Sequence, residues 1–313
     1  MLLSKRPIRS LMAAAIALAA LPAMAGESPY SKAVFFGDSL TDAGYFRPLL
    51  PADVRPVTGQ FTTNPGWVWA QQVANYYGLN GAANGNGQSG DNYAVGGARV
   101  GVDVASPMGT IPSLKSQAAR YLAANGGKAD ANVLYTVWGG ANDLFAAAAA
   151  PAQAQAIIGA AVTDQIALVG ALKQAGAEYV LVPNLPNVGL TPAFRGPNAA
   201  AATALSAGYN KALYGGLKQA GIAFIPLDTF TVLGEVAANP GMYGFTNVTS
   251  TGCRIDPANS TQSILTCNPT SYVSPDAANT YLFADGVHPT PPATSCWAST
   301  RCRCWKPRAC SRC

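Results

Sequence analysis

Histidine is nearly absent from this chain: His288 is the only one in 313 residues. A cluster of imidazole metal ligands is thereby excluded, and chemistry that needs a neutral-pH base of this type has one candidate. Charge is also scarce, with Asp, Glu, Lys and Arg at 11%. The formal net charge of +5 is unevenly spread. Lys5, Arg6 and Arg9 near the start, and Arg301, Arg303, Lys306, Arg308 and Arg312 near the end, leave 12 of the 20 basic residues for positions 26–290. All 15 acids lie there, so the body carries −3 and has no basic surplus from which to build a nucleic-acid face. Long apolar runs are missing beyond residue 25 as well: the alanine patch 146–150 is bounded by Asp143 and Pro151, and no later segment reads as a membrane-spanning helix.

What is present is 49% apolar content, enough to bury one substantial core. The first 25 residues stand apart. Three basic residues precede an apolar run that ends in small residues before Ala25, the layout of a secretory signal peptide. The run 11–21 is short for a ~20-residue span and is followed by Pro22, so export with cleavage after Ala25 is expected rather than anchoring. Cysteine follows the same division, since Cys253 and Cys267 lie in a loop rich in Gly, Pro, Asn and Thr while the other five of seven crowd into 296–313. In an exported protein the first two are expected to form a disulfide, worth ~3 kcal/mol by loop-closure entropy.

Short β-branched or aromatic runs alternate with longer alanine-rich stretches, the pattern of a parallel sheet covered by helices. Strands are expected at 32–36, 132–138, 178–183 and 223–228, with helices near 64–78, 112–125, 152–176 and 197–221. The third helix is the clearest, with Ile158, Val162, Ile166 and Val169 on one face and Gly176 as its stop. No repeat or linker divides 26–290, so it reads as one α/β domain with loops at 44–60, 80–92 and 240–280.

Ligands of open α/β sheets gather beyond the carboxyl ends of the strands. GDSLTDAG follows the first expected strand and GGANDLF the second, which puts Ser39 at a strand-to-helix turn and Asn142 at the corresponding turn of a neighbour. A serine hydroxyl needs a base, and His288 is the one imidazole that can serve. Asp285, three residues earlier, can reach its other ring nitrogen from the same turn. Alone, Asp-x-x-His also describes a surface histidine beside a solvating acid. No G-x-S-x-G surrounds Ser39, which excludes the nucleophile elbow of the α/β-hydrolases.

Four blocks in order, GDSL at 37–40, NYAVGGA at 92–98, GGAND at 139–143 and DGVHP at 285–289, resemble the GDSL, or SGNH, hydrolases of esterases and lipases. The resemblance spans residues 32–290. It implies a three-layer, flavodoxin-like α/β fold in a single domain, with a Ser39, His288 and Asp285 triad acting through an acyl-enzyme. It also implies an oxyanion hole of the Ser39 N–H, Gly97 and Asn142; Gly97 rather than Gly96 fits the family spacing from Asn92, the other reading of the pair being a tight turn. No cofactor and no metal is implied. The expected substrate is a small-molecule or lipid carboxylic ester, with membrane contact only through that substrate. Lysophospholipid, acyltransfer or polysaccharide deacetylation chemistry shares the same site, and an inactive truncated passenger is the non-enzymatic alternative. The leader and opening look most like bacterial secreted or autotransported esterases, although no transmembrane barrel is read in this chain.

After His288 the text changes to PPATSCWASTRCRCWKPRACSRC, with five cysteines, five basic residues and no apolar period. Residues 291–313 are therefore expected to be an aberrant tail outside the native fold and dispensable for chemistry. The competing expectation is that Trp297 and Trp305 pack over the sheet and hold the His288 turn.

Overall fold

The computed structural model describes residues 28–255 and 263–298. The expected signal peptide, 1–25, lies outside the described residues. In chain order the elements are β1 (Lys32–Gly37), α1 (Trp69–Tyr76), the hairpins β2 (Asn84–Gly85) with β3 (Gln88–Ser89) and β4 (Val104–Ser106) with β5 (Gly109–Ile111), and α2 (Leu114–Ala124). Then come β6 (Val133–Trp138), α3 (Ala141–Ala149), α4 (Ala154–Gln174), β7 (Tyr179–Pro183), α5 (Ala199–Gln219), β8 (Ile225–Leu227) and α6 (Thr229–Ala238). Last are β9 (Asn247–Thr251), α7 (Ala277–Thr280), β10 (Tyr281–Phe283) and α8 (Pro291–Ala298).

The central sheet is parallel in the order β1-β6-β7-β8, with registers such as Val34 opposite Tyr135 and Leu134 opposite Tyr179. Residues 91–95 extend it beyond β1, since Phe35 N–H donates to Asp91 O and the Tyr93 and Val95 N–H groups donate to Phe35 O and Gly37 O. Counting that segment, the order is 2-1-3-4-5, the flavodoxin-like arrangement, in which the direction of travel reverses beside β1. Every residue of β6 is buried, as a central parallel strand covered on both faces requires.

Alternation along the strands builds two cores. Val34, Phe36, Tyr135, Val137, Val180 and Val182 face α2, α4 and α5. Phe35, Leu134, Trp138 and Leu181 face the opposite layer, where α1 contributes Trp69 and α8 contributes Trp297. The four expected strands and four expected helices are all present. On α4, Val162 and Val169 are buried and Ile158 and Ile166 pack against them at the edge of the core. One expectation fails here: Pro151–Gln174 is in fact long and apolar enough to cross a membrane. Its buried face is spent on the sheet and on neighbouring helices.

The boundary expected at Thr290 is also displaced. Residues 291–298 form α8, whose Trp297 is 2% exposed and meets Trp138 edge-on at 5.1 Å. Only Ala293, Thr294, Trp297 and Ala298 are buried, a stripe confined to two turns and too short to stand out as a period in the tail. Trp305 and the rest of 299–313 lie outside the described residues.

Candidate active site

The site lies past the carboxyl ends of β1 and β6, where the strand order reverses. Gly37 ends β1, and its backbone is held by Gln117 of α2: Oε1 accepts from Gly37 N at 2.9 Å and Nε2 donates to Gly37 O at 2.9 Å. Ser39 follows in a turn that does not open an α-helix, contrary to expectation; the next α-helix begins at Trp69. Asp38 O accepts from Thr41 N and Asp42 N in one helical turn. The turn stops there because Asp42 Oδ1 takes the N–H groups of Gly44 and Tyr45 at 2.8 and 2.7 Å. Asp38 Oδ1 takes Leu40 N–H. The Ser39 N–H has no partner among the described residues.

The β10–α8 connection brings in the other two groups. His288 Nε2 stands 2.8 Å from Ser39 Oγ, and His288 Nδ1 stands 2.8 Å from Asp285 Oδ2. The second oxygen of Asp285 accepts the N–H groups of Val287 and His288 at 2.9 and 2.7 Å, so the carboxylate is fixed by its own turn. The His288 and Asp285 side chains are 12% and 18% exposed. Burial opposes the charged imidazole, but the Asp285 charge, its hydrogen bond and the more distant Asp38 outweigh it and raise the His288 pKa above 6.5. Burial likewise pushes Asp285 up, and the His288 charge with three hydrogen bonds brings it below the ordinary carboxylate value. Asp38, buried and lining the same cleft, is pushed up to about 7 by burial, with Leu40 N–H and His288 opposing.

Gly97 and Asn142 line the same cleft as Ser39 and His288. Gly97 has φ +83°, a conformation that suits glycine, and its N–H is unpartnered among the described residues. Gly96 N–H, by contrast, donates to Asp42 Oδ2 at 2.8 Å and is used up in joining this turn to the Ser39 turn. Asn142 stands in the first turn of α3, where one of its Nδ2 protons goes to Ala98 O at 3.0 Å, leaving the other available. Asp143 beside it accepts from Arg99 Nε at 2.9 Å and Val100 N at 3.0 Å, docking α3 onto the segment that carries Gly97.

All the residues expected from the sequence are thus brought together. Those missed are the ones that hold them: Gln117, Asp42, Asp143 and Phe61, whose ring lies 5.3 Å from that of His288. Asp42 lies in the GDSLTDAG stretch that follows β1 and Asp143 in the GGAND block; Gln117 and Phe61 carry no local signal. The cleft, about 210 Å³, is walled largely by apolar side chains, among them Phe145, Val188, Leu233, Phe283 and Trp297. No group of three or more metal-ligating side chains occurs among the described residues. Cys253 and Cys267, both buried, have Cα atoms 6.0 Å apart and their sulfurs in contact, within reach of a disulfide.

Several known proteins are similar to this chain. It is 34% identical over 311 residues to esterase EstA of Pseudomonas aeruginosa, covering 85% of this chain and 45% of that one. It is 33% identical over 312 residues to an uncharacterised protein in the trpE-trpG intergenic region of Pseudomonas putida, covering 91% and 50%. The chain thus spans about half the length of the curated relatives it matches. Among solved structures, an acetylxylan esterase of Geobacillus stearothermophilus, a catalytic mutant, aligns over 90% of this chain and 96% of its own at 15% identity, with a TM-score of 0.46. The model of the GDSL-like lipase/acylhydrolase family matches residues 34–299, through α8 and past the boundary expected from the sequence, and the chain belongs to that family.

Proposed function

We propose that this protein is an exported serine esterase that hydrolyses carboxylic esters through an acyl-enzyme. The observation that carries this reading is the unbroken hydrogen-bonded chain from Ser39 Oγ through both His288 nitrogens to Asp285. Ser39 Oγ attacks the ester carbonyl carbon as His288 Nε2 takes its proton, and Asp285 stabilises the imidazolium that forms. The carbonyl oxygen, now negative, receives hydrogen bonds from the N–H groups of Ser39 and Gly97 and from Asn142 Nδ2. Collapse expels the alcohol, which leaves with the proton from His288. Water then repeats the sequence on the acyl-Ser39 ester, releasing the acid and restoring the serine.

The apolar walls of the cleft suit an acyl chain, and small-molecule or lipid esters of modest acyl length are the substrates proposed. Export rests on the leader at 1–25, and an oxidised Cys253–Cys267 pair goes with it. The test is labelling with a fluorophosphonate followed by peptide mass spectrometry, alongside turnover of a short p-nitrophenyl ester. Wild-type protein is expected to carry the adduct on Ser39, and Ser39→Ala to fold normally and lose both labelling and turnover. More than about a tenth of the wild-type rate in Ser39→Ala would remove the nucleophile assignment, because losses at such residues are orders of magnitude.

A further inference from the structure

One aromatic ring touches both the histidine and the turn that presents Gly97. Phe61 lies with its ring centroid 5.3 Å from that of His288 at an interplanar angle of 40°. Its other edge fills the space above Gly96 so closely that a Cβ there would fall 2.0 Å from Phe61 Cζ. The double glycine of residues 96 and 97 therefore has two separate causes: position 97 needs the backbone conformation, and position 96 needs the room.

Phe61 sits in a segment with unusually many fixed points. Thr62 Oγ1 donates to Pro289 O at 2.8 Å, tying the neighbour of Phe61 to the neighbour of His288. Asn64, wholly buried, accepts from Gln60 N and donates to Gln60 O and Thr62 O, closing residues 60–64 on themselves. From outside, Gly59 N–H donates to Leu265 O and Asn64 N–H to Cys267 O, while Tyr272 OH donates to Asn64 O. Cys253, the partner of Cys267, donates its own N–H to Ala284 O, one residue before Asp285. Leu265 and Cys267 thus hold the Phe61 segment, while Cys253, whose sulfur meets that of Cys267, holds the strand end just before the Asp285–His288 turn.

We infer that Phe61 is a positioning residue for His288: its ring fixes the plane of the imidazole toward Ser39 and keeps water from the Nε2–Oγ contact. This rests on the role proposed for Ser39 and His288. The ionisable groups facing the imidazole are Asp285 on its own turn and Asp38 in the turn after β1. Loss of the ring leaves both in place and hydrates the imidazolium, so the acid limb of the rate profile moves to higher pH.

The test is the rate of fluorophosphonate labelling of Ser39 against pH in wild type, Phe61→Leu and Phe61→Ala, each with a melting curve. Phe61→Leu keeps apolar volume without a ring face and carries the test should Phe61→Ala fail to fold. The expected result is a loss on the order of tenfold in Phe61→Leu with the acid limb displaced upward. An unchanged rate in Phe61→Leu, or a slower rate with the limb unmoved, would overturn the inference and leave Phe61 a packing residue. Absence of Ser39 labelling in wild type would instead remove the proposed function on which the inference depends.

Discussion

Trp297→Ala is expected to destabilise the protein by ~3–5 kcal/mol, the usual cost of truncating a buried large aromatic. Trp297 is 2% exposed and forms the outer rung of an edge-on series, 5.1 Å from Trp138, which in turn is 5.2 Å from Trp69. A buried Trp removes ~150–250 Å² from water, and at ~25 cal/mol per Å² that alone is ~4–6 kcal/mol, from which the retained Ala subtracts a little. The helix around it is anchored by polar contacts that the substitution leaves intact: Gln72 Nε2 donates to Pro291 O at 3.0 Å and to Thr294 Oγ1 at 2.9 Å. The loss is therefore a cavity at the sheet face rather than detachment of α8. For a domain of this size each 1 kcal/mol moves the midpoint by ~2–4 °C, so thermal unfolding followed by circular dichroism should show a fall of about 10 °C. Truncation after Thr290 should cost more, because it also removes the Gln72 contacts and the buried Ala293 and Thr294, and it should slow Ser39 labelling because Trp297 lines the cleft. A melting temperature within 2 °C of wild type in Trp297→Ala would refute the packing assigned to α8.

Four further outcomes follow, three from the site and one from the cysteine pair. Asn142→Ala should lower kcat roughly 10²-fold with little change in KM, as loss of a transition-state donor does; a change confined to KM would make Asn142 a ground-state contact. Because the His288 pKa is raised, kcat/KM should fall on acidification through a limb above pH 6.5, and Asp285→Asn, which leaves burial unopposed by the neighbouring carboxylate, should move that limb below wild type while lowering kcat. The same pairing should make the histidine contribute stability that is full below pH 6.5 and lost as pH rises through its folded-state value. Mature exported protein should show Cys253 and Cys267 blocked to alkylation until reduced, and Cys253→Ser with Cys267→Ser should lower stability by ~3 kcal/mol; alkylation of both thiols without reduction would disprove the bond.

The strands and their flanking helices were legible because burial on both faces leaves an unmistakable mark: β6 is wholly apolar except for Thr136, and α4 repeats its apolar residues at helical spacing. Several of the short helices were not. α3 and α6 have nine and ten residues, and α8 has eight, so each offers two or three turns of pattern, and alanine in α3 is neutral between core and surface. Their helicity follows from what they dock against, Asp143 on Val100 and Trp297 on Trp138, and those contacts are long-range.

The catalytic candidates divide in the same way. Chain composition alone determined that one imidazole could act as base, and the four ordered blocks supplied Ser39, Gly97, Asn142, Asp285 and His288. Only the tertiary structure decided that Gly96 is spent on Asp42 and Phe61 and so leaves position 97 as the available donor. The turn after β1 ends in a side-chain-capped loop instead of a helix for a similar reason, since the carboxylate of Asp42 competes for the next N–H groups. Functional groups are written in the sequence because chemistry restricts residue type. The groups that hold them in place, Gln117, Asn64 and Phe61, need only the right volume or amide at the end of a long-range contact, and that restriction exists only once the chain has folded.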